Sequence, residues 1–192
     1  MTGQERRAQL LDIGRSVFAS VGYEAASIED IAKRAHITKP VVYEHFGGKE
    51  GLYAVVVDRE VRKMVESITA ALEGDHPRVL LEQAALALLT YIEEEPDGFK
   101  VLLRDSPVAG GQGSLASVIG DIADQVEYIL ANEFKMRGFD PKLSPIYSRA
   151  LVGMVVLVGE WWQEVGKPKR EVIAAHLVNL AWNGLKDLQP QP

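Results

Sequence analysis

Apolar residues recur at helical spacing along nearly the whole chain, and no stretch alternates as a strand would. The pattern is sharpest over the twenty residues from Ser27 to Phe46, SIEDIAKRAHITKPVVYEHF, which predict two short helices joined by a tight turn. In the first, Ile28, Ile31, Ala32 and Ala35 fall at i, i+3, i+4 and i+7 and form one apolar stripe. Ser27 is placed to cap its first turn, and Asp30 adds negative charge where the helix dipole is positive. The second helix has Thr38 as N-cap and Pro40 early in its first turn, where the missing N–H costs nothing. Val42 and Phe46 lie four apart and can bury against the first helix, which leaves Lys39, Val41, Glu44 and His45 largely on other faces. So short a helix gains little from propensity and needs a scaffold. A helix-turn-helix supplies one by presenting the second helix to the DNA major groove.

The flanking pattern predicts helices throughout. Thr2 to Arg7 is expected to be a mobile arm, with Arg6 and Arg7 either reaching phosphate and the minor groove or simply solvated. A helix from about Glu5 to Val21 should bury Leu11, Gly14, Phe18 and Val21 before Gly22 breaks it. Gly47-Gly48 forces a turn, after which Lys49 opens a long helix to about Leu72, ended by Gly74 and Pro77. Further helices are expected at Arg78 to Glu95, Pro96 to Asp105, Leu115 to Arg137, Ile146 to Glu164 and Arg170 to Leu188. The segments between them are a loop at Pro107 to Gly113, a turn at Gly138 to Pro145 and Gly166-Lys167-Pro168, and Gln189 to Pro192 is a frayed tail. The expected fold is all-α, with about nine helices.

From Leu10 to Leu52 the sequence also resembles the TetR-type transcriptional repressors. The likeness rests on an apolar first helix ending in Phe18, then Gly22-Tyr23, Ile31-Ala32, Ala35, Ile37-Thr38-Lys39, Val42-Tyr43, His45-Phe46 and Lys49-Glu50. Two positions depart from the family pattern: Gly14 stands where alanine is usual, and His36 where the turn usually has glycine. Histidine can take the left-handed backbone conformation at some cost. The resemblance implies a DNA-binding domain over 1–48 and a helical ligand-binding and dimerisation domain over 49–192.

Composition narrows the alternatives. The chain has 192 residues, 47% of them hydrophobic, enough for one extended domain or two small ones sharing a core. Without cysteine, disulfides and thiolate metal sites are excluded, and His36, His45, His76 and His176 show no metal spacing. No phosphate loop or nucleophile elbow appears, so neither an enzyme nor a cofactor is expected, and no metal. Met1 to Leu10 is polar and the longest apolar run, Ala150 to Gly159, has ten residues, which points to a cytoplasmic protein with no membrane partner. The net charge of −6 suits DNA poorly, but residues 1–50 hold seven Lys+Arg and seven Asp+Glu, so the acid excess lies beyond them. A positive patch must then be local: Arg6, Arg7, Lys39 and Lys49.

Roles can be assigned on this basis. Lys39 and Glu44 are the polar base readers and Val41 can touch a thymine methyl, with Pro40 beside them. Thr38, Tyr43, His45 and Lys49, with Ser27, would position the helix on phosphates. Glu44 is open to two readings: acceptor for a cytosine amino group, or partner of Lys39 or Lys49. The resemblance implies a homodimer joined by the last two helices, where Ala150 to Gly159, Trp161, Trp162 and Trp182 add apolar area. It also implies a small-molecule pocket, for which Tyr91, Phe99, Leu103, Tyr128, Met154 and Trp161 are candidate walls, though each could be plain core. Asp121 and Asp124 could favour a cationic ligand or be solvated acids. The expected partners are therefore palindromic double-stranded DNA, a ligand of unspecified identity and a second copy of the chain.

Overall fold

A computed structural model describes residues 2–74, 76–104 and 115–186. Among these the fold is all-α, with nine helices: α1 (Gly3–Ala25), α2 (Ile28–Arg34), α3 (Lys39–Phe46), α4 (Lys49–Ala71), α5 (Pro77–Glu94), α6 (Pro96–Leu103), α7 (Leu115–Arg137), α8 (Ser144–Val165) and α9 (Arg170–Lys186). A 3-10 turn, Pro141–Leu143, precedes α8. The breaks fall at the Gly and Pro clusters where the sequence pattern puts them. The expected loop at Pro107 to Gly113 and the tail at Gln189 to Pro192 lie outside the described residues, as do Asp105 and Leu188.

The N-terminus differs from expectation. Thr2 to Arg7 is no arm, because helix begins at Gly3 and is closed by a capping box. Thr2 Oγ1 accepts from the Glu5 N–H at 3.2 Å, and the Glu5 carboxylate accepts from the Thr2 N–H at 2.6 Å. The Thr-x-x-Glu spacing is the signature of that motif and was legible in the sequence. Gly22 interrupts α1 with φ 80 and ψ 170, a conformation that side chains resist. Val21, expected in the core, is 49% exposed in the turn before this break. The buried stripe is instead Leu10, Leu11, Gly14, Val17 and Phe18.

The chain divides into two compact units, Met1–Lys63 with Glu95–Leu115, and Met64–Glu94 with Ala116–Pro192. The division falls inside α4, between Lys63 and Met64, and the first unit takes in α6, which packs on α1. In the first unit α1 packs on α2 and α6, and α2 on α3. Leu10, Ile31, Val42, Leu52 and Val56 are fully enclosed there. Phe18 meets Tyr53 edge-on at 5.0 Å between ring centroids, and Tyr23 lies 4.9 Å from Tyr53.

In the second unit α5 packs on α8 and α9. Leu88, Leu89, Ile92, Ile173, Leu177, Val178 and Trp162 are buried. The Trp162 indole N–H donates to the Pro168 carbonyl at 2.7 Å and ties the end of α8 to the connection that follows. At the other end of α8, Phe134, Phe139 and Tyr147 form an aromatic cluster. The helical stretch Pro141–Val165 outruns the ten-residue apolar run: its most apolar 18-residue window has a mean hydropathy of 1.3, enough by length and composition to cross a bilayer. Packing on α5 and α9 buries 22% of that window.

Candidate nucleic-acid interface

The turn between α2 and α3 carries its own stop signal. The Ile37 N–H reaches the Ala32 carbonyl at 3.0 Å and the His36 N–H the Lys33 carbonyl at 3.1 Å, the paired bonds of a Schellman motif. His36 occupies the left-handed position of that motif at φ 54, the conformation the departure from glycine required. Ser27 caps the other end of α2, its Oγ accepting from the Asp30 N–H at 3.1 Å. With both ends of α2 satisfied, Ile31, Ala32 and Ala35 form a fixed apolar floor, on which Val42 is fully buried.

That seating decides which side of α3 stays open. Thr38, Lys39, Pro40, Tyr43 and Glu44 are exposed, while Val41 and His45 are half-buried. Thr38 occupies the N-cap position, yet its hydroxyl makes no capping bond, so the first-turn N–H groups lack a side-chain acceptor. Ser27, by contrast, spends its hydroxyl within α2. Lys39 pairs with Glu29 of α2 at 2.7 Å, and the bond holds the Glu29 carboxyl below the usual carboxylate range and the Lys39 ammonium above its ordinary value. Glu44 has no ion pair among the described residues.

Two cations expected to face DNA are turned inward. The Lys49 ammonium donates to the carbonyls of Tyr23 at 2.9 Å, Glu24 at 3.2 Å and Ala26 at 3.2 Å, and sits 4.5 Å from the centre of the Tyr23 ring. All three of its N–H bonds are thereby used. Arg7 donates to the His45 carbonyl at 3.1 Å and lies 4.4 Å over the Phe46 ring, at the C-terminal end of α3 where positive charge suits the helix dipole.

Two further features of α4 were not read from the sequence. Gly51 lies so close to α3 that an added Cβ would stand 1.9 Å from the Phe46 carbonyl oxygen. Further along α4, Glu60 is fully buried, with Arg59 at 3.2 Å, Arg15 at 3.6 Å and Lys63 at 4.0 Å. Glu95 joins the cluster through Arg15 and through Lys63 at 3.2 Å. Burial pushes the Glu95 carboxyl up, but the bonds from Lys63 and Arg15 outweigh it and hold it below the usual range. The i, i+3 spacing of Glu60 and Lys63 was visible; that α1 and the start of α6 bring them partners was not.

The six candidate pocket residues fall in different places. Phe99 is buried in the first unit, where Leu103 is half-buried. Tyr91 is buried in the second unit and Met154 half-buried, while Tyr128 is 71% and Trp161 50% exposed. Exposure on that scale does not suit a pocket wall in a single chain. Asp124 pairs with Arg149 at 3.3 Å on the surface, and Asp121 is exposed. An open depression on the second unit is lined by Arg78, Glu171, Val172, Ala175, His176 and Asn179, none of them expected.

A short helix with an open polar face, seated on a capped partner across a tight turn, defines a helix-turn-helix DNA-binding protein. Residues 10–56 match the family described as bacterial regulatory proteins, tetR family. It is similar to the HTH-type transcriptional activator FasR of Mycolicibacterium smegmatis, 29% identical over 94% of this chain and 83% of that protein. The HTH-type transcriptional regulator YdgC of Bacillus subtilis is 27% identical over 95% and 94%. Among solved structures, a TetR-like transcriptional regulator from Rhodococcus sp. RHA1 superposes with a TM-score of 0.77, at 28% identity over 95% of this chain and 97% of that one. Over residues 10–56 the chain thus carries a helix-turn-helix of the kind found in DNA-binding transcriptional regulators, and its likeness to such regulators extends over most of its length.

Proposed function

We propose that the protein is a dimeric repressor that reads a palindromic operator in double-stranded DNA with α3 and is released from it by a small-molecule ligand. Residues 1–48 read the DNA, and 49–192 bind the ligand and the second copy. The observation that carries this reading is the open face of α3, where Pro40, Tyr43 and Glu44 are exposed, with Lys39 exposed but paired to Glu29, beside a helix N-terminus that Thr38 does not cap. Such an N-terminus attracts phosphate. In this reading Thr38, Tyr43 and His45 position the helix on phosphates, Ser27 steadies α2, and Val41 touches a thymine methyl.

Glu44 reads a base. Lys39 is engaged with Glu29 and Lys49 with backbone carbonyls, which removes the two internal partners that would otherwise explain an acid on this helix. A cytosine amino group is the complementary donor. Dimerisation is supported by α8, where Ile146, Leu157, Trp161 and Val165 are 63%, 65%, 50% and 51% exposed. An apolar stripe of this kind on a helix needs a cover. A dimer in the cytoplasm, with α8 against a second copy, accounts for its hydropathy without a bilayer. Tyr91 and Met154 remain the proposed pocket residues of the second unit. The second reading, activation of transcription from the same operator, is favoured by the name of FasR.

Selection of bound sequences from random DNA tests the proposal. The expected product is an inverted repeat whose half-site centres lie a whole number of turns apart, each roughly 34–36 Å. Recovery of no repeat, or of direct repeats alone, overturns it. In the same assay Glu44→Gln should lose preference at one symmetric position, by on the order of 1–3 kcal/mol, while binding random DNA more tightly. A profile identical to the parent's at every position removes Glu44 from base reading.

A further inference from the structure

We infer that Lys49 serves DNA binding at one remove, as a positioning residue that fastens the end of α1 to the start of α4. The inference rests on α3 being the DNA-reading helix. An ammonium has three N–H bonds in tetrahedral array, and here each is directed at a different carbonyl: Tyr23, Glu24 and Ala26. These carbonyls belong to the segment after the Gly22 break, where the helical ladder of α1 is interrupted and acceptors are left over. The Tyr23 ring beneath the ammonium adds a cation–π contact. Tyr23 itself packs on Phe18 and Tyr53, so the cation is anchored to the aromatic cluster of the first unit.

The location gives this bond its consequence. Lys49 is the first residue of α4, separated from the end of α3 only by Gly47-Gly48. Two residues further on, Gly51 is pressed against the last carbonyl of α3. A shift of the first turn of α4 therefore moves the C-terminal end of the recognition helix. Ala26, one of the three acceptors, directly precedes the N-cap Ser27 of α2. One cation thus holds together the end of α1, the start of α2 and, through the start of α4, the end of α3. Moving its ammonium to a phosphate would break all three bonds, two of which lie in partly buried surroundings.

The two roles predict opposite behaviour of two variants. For a positioning residue, Lys49→Ala lowers the melting temperature and weakens DNA binding, but the slope of log Kobs against log salt stays that of the parent. Lys49→Arg keeps the charge but cannot match the tetrahedral donor set with a planar fork, so it also melts earlier. For a residue bound directly to phosphate, Lys49→Ala reduces the salt slope by about 0.9 for each phosphate no longer neutralised and leaves the melting temperature unchanged, and Lys49→Arg behaves as the parent. Thermal melting of the free protein with DNA titration over a salt series separates them. A reduced slope with unchanged melting overturns the inference. Should Lys49→Ala fail to fold, Lys49→Arg decides: parental melting and parental affinity overturn it, earlier melting at an unaltered slope supports it. Failure of the parent to bind any DNA would strike at the reading of α3, whereas the melting results would still report on the Lys49 tether.

Discussion

The two units treat charge and apolar surface in opposite ways. The first encloses a carboxylate, Glu60, among Arg15, Arg59 and Lys63, and leaves almost no large apolar side chain outside. Of the fourteen large apolar residues that are exposed among those described, only Val21 and Tyr43 belong to it. The second unit carries the other twelve, including Tyr128, Met136, Ile146, Leu157, Trp161 and Leu180. Its ion pairs, such as Arg149 with Asp124 and Glu127, lie on the surface. A unit that buries its apolar residues and surrounds its inner carboxylate with cations is complete by itself, and its open face is free to be polar. A unit that leaves apolar helix stripes outside is complete only against something else.

The sharpest way to break this contrast is to remove the buried carboxylate. Glu60→Ala leaves three cations without their shared acceptor, where Arg15 Nε and Arg59 Nη2 already lack a partner. The expected loss is on the order of 3–5 kcal/mol, read from denaturant unfolding. A loss below about 1 kcal/mol would mean that solvent reaches the cluster.

On the second unit the corresponding experiment is to make the stripe polar. Leu157→Glu with Trp161→Glu should turn the protein into a monomer at micromolar concentration, at a cost to association of about 2–4 kcal/mol for the Trp alone. Sedimentation reads this, and helical content by circular dichroism should not change. An unaltered dimer would locate the cover elsewhere.

Smaller effects sharpen the description of the first unit. Gly51→Ala forces a Cβ against the Phe46 carbonyl, so the start of α4 must shift. The expected cost is about 1–3 kcal/mol of stability, with a clear loss of DNA affinity because the end of α3 moves with it. Unchanged affinity would show that α3 is seated by α2 alone.

The smallest effect concerns pH. Glu95 has a folded-state pKa below its unfolded value, so its contribution is fully present above the unfolded value of about 4.3 and is lost as pH falls through the folded one. Glu95→Gln should therefore lower the melting temperature slightly at neutral pH and converge on the parent in acid. A difference between the two that persists at pH 2 would rule out ion pairing as its source.

Much of this was legible in local pattern. Ser27, Pro40 and the Gly and Pro clusters mark the helix ends because capping and φ restriction act within a few residues. The stripe Ile28, Ile31, Ala32, Ala35 determined the floor of α3, and Val42 its anchor, because a helix presents i, i+3, i+4 and i+7 to one side whatever surrounds it. His36 announced a left-handed turn. Even the capping box at Thr2 and Glu5 was written in the sequence, although the run of polar residues suggested an arm.

Tertiary structure alone decided how charges and apolar faces were spent. Whether Lys49 meets phosphate or carbonyl depends on where Tyr23, Glu24 and Ala26 come to rest, and whether Arg7 is free depends on the ring of Phe46. Glu60 and Glu95 become a cluster only when α1, α4 and the start of α6 converge. The same holds for Gly51, an ordinary helical residue until the carbonyl of Phe46 arrives beside it. Periodicity sets which side of a helix is apolar, but a long charged side chain or an uncovered stripe takes its partner from whatever the fold brings within a few ångströms, and that is a property of packing.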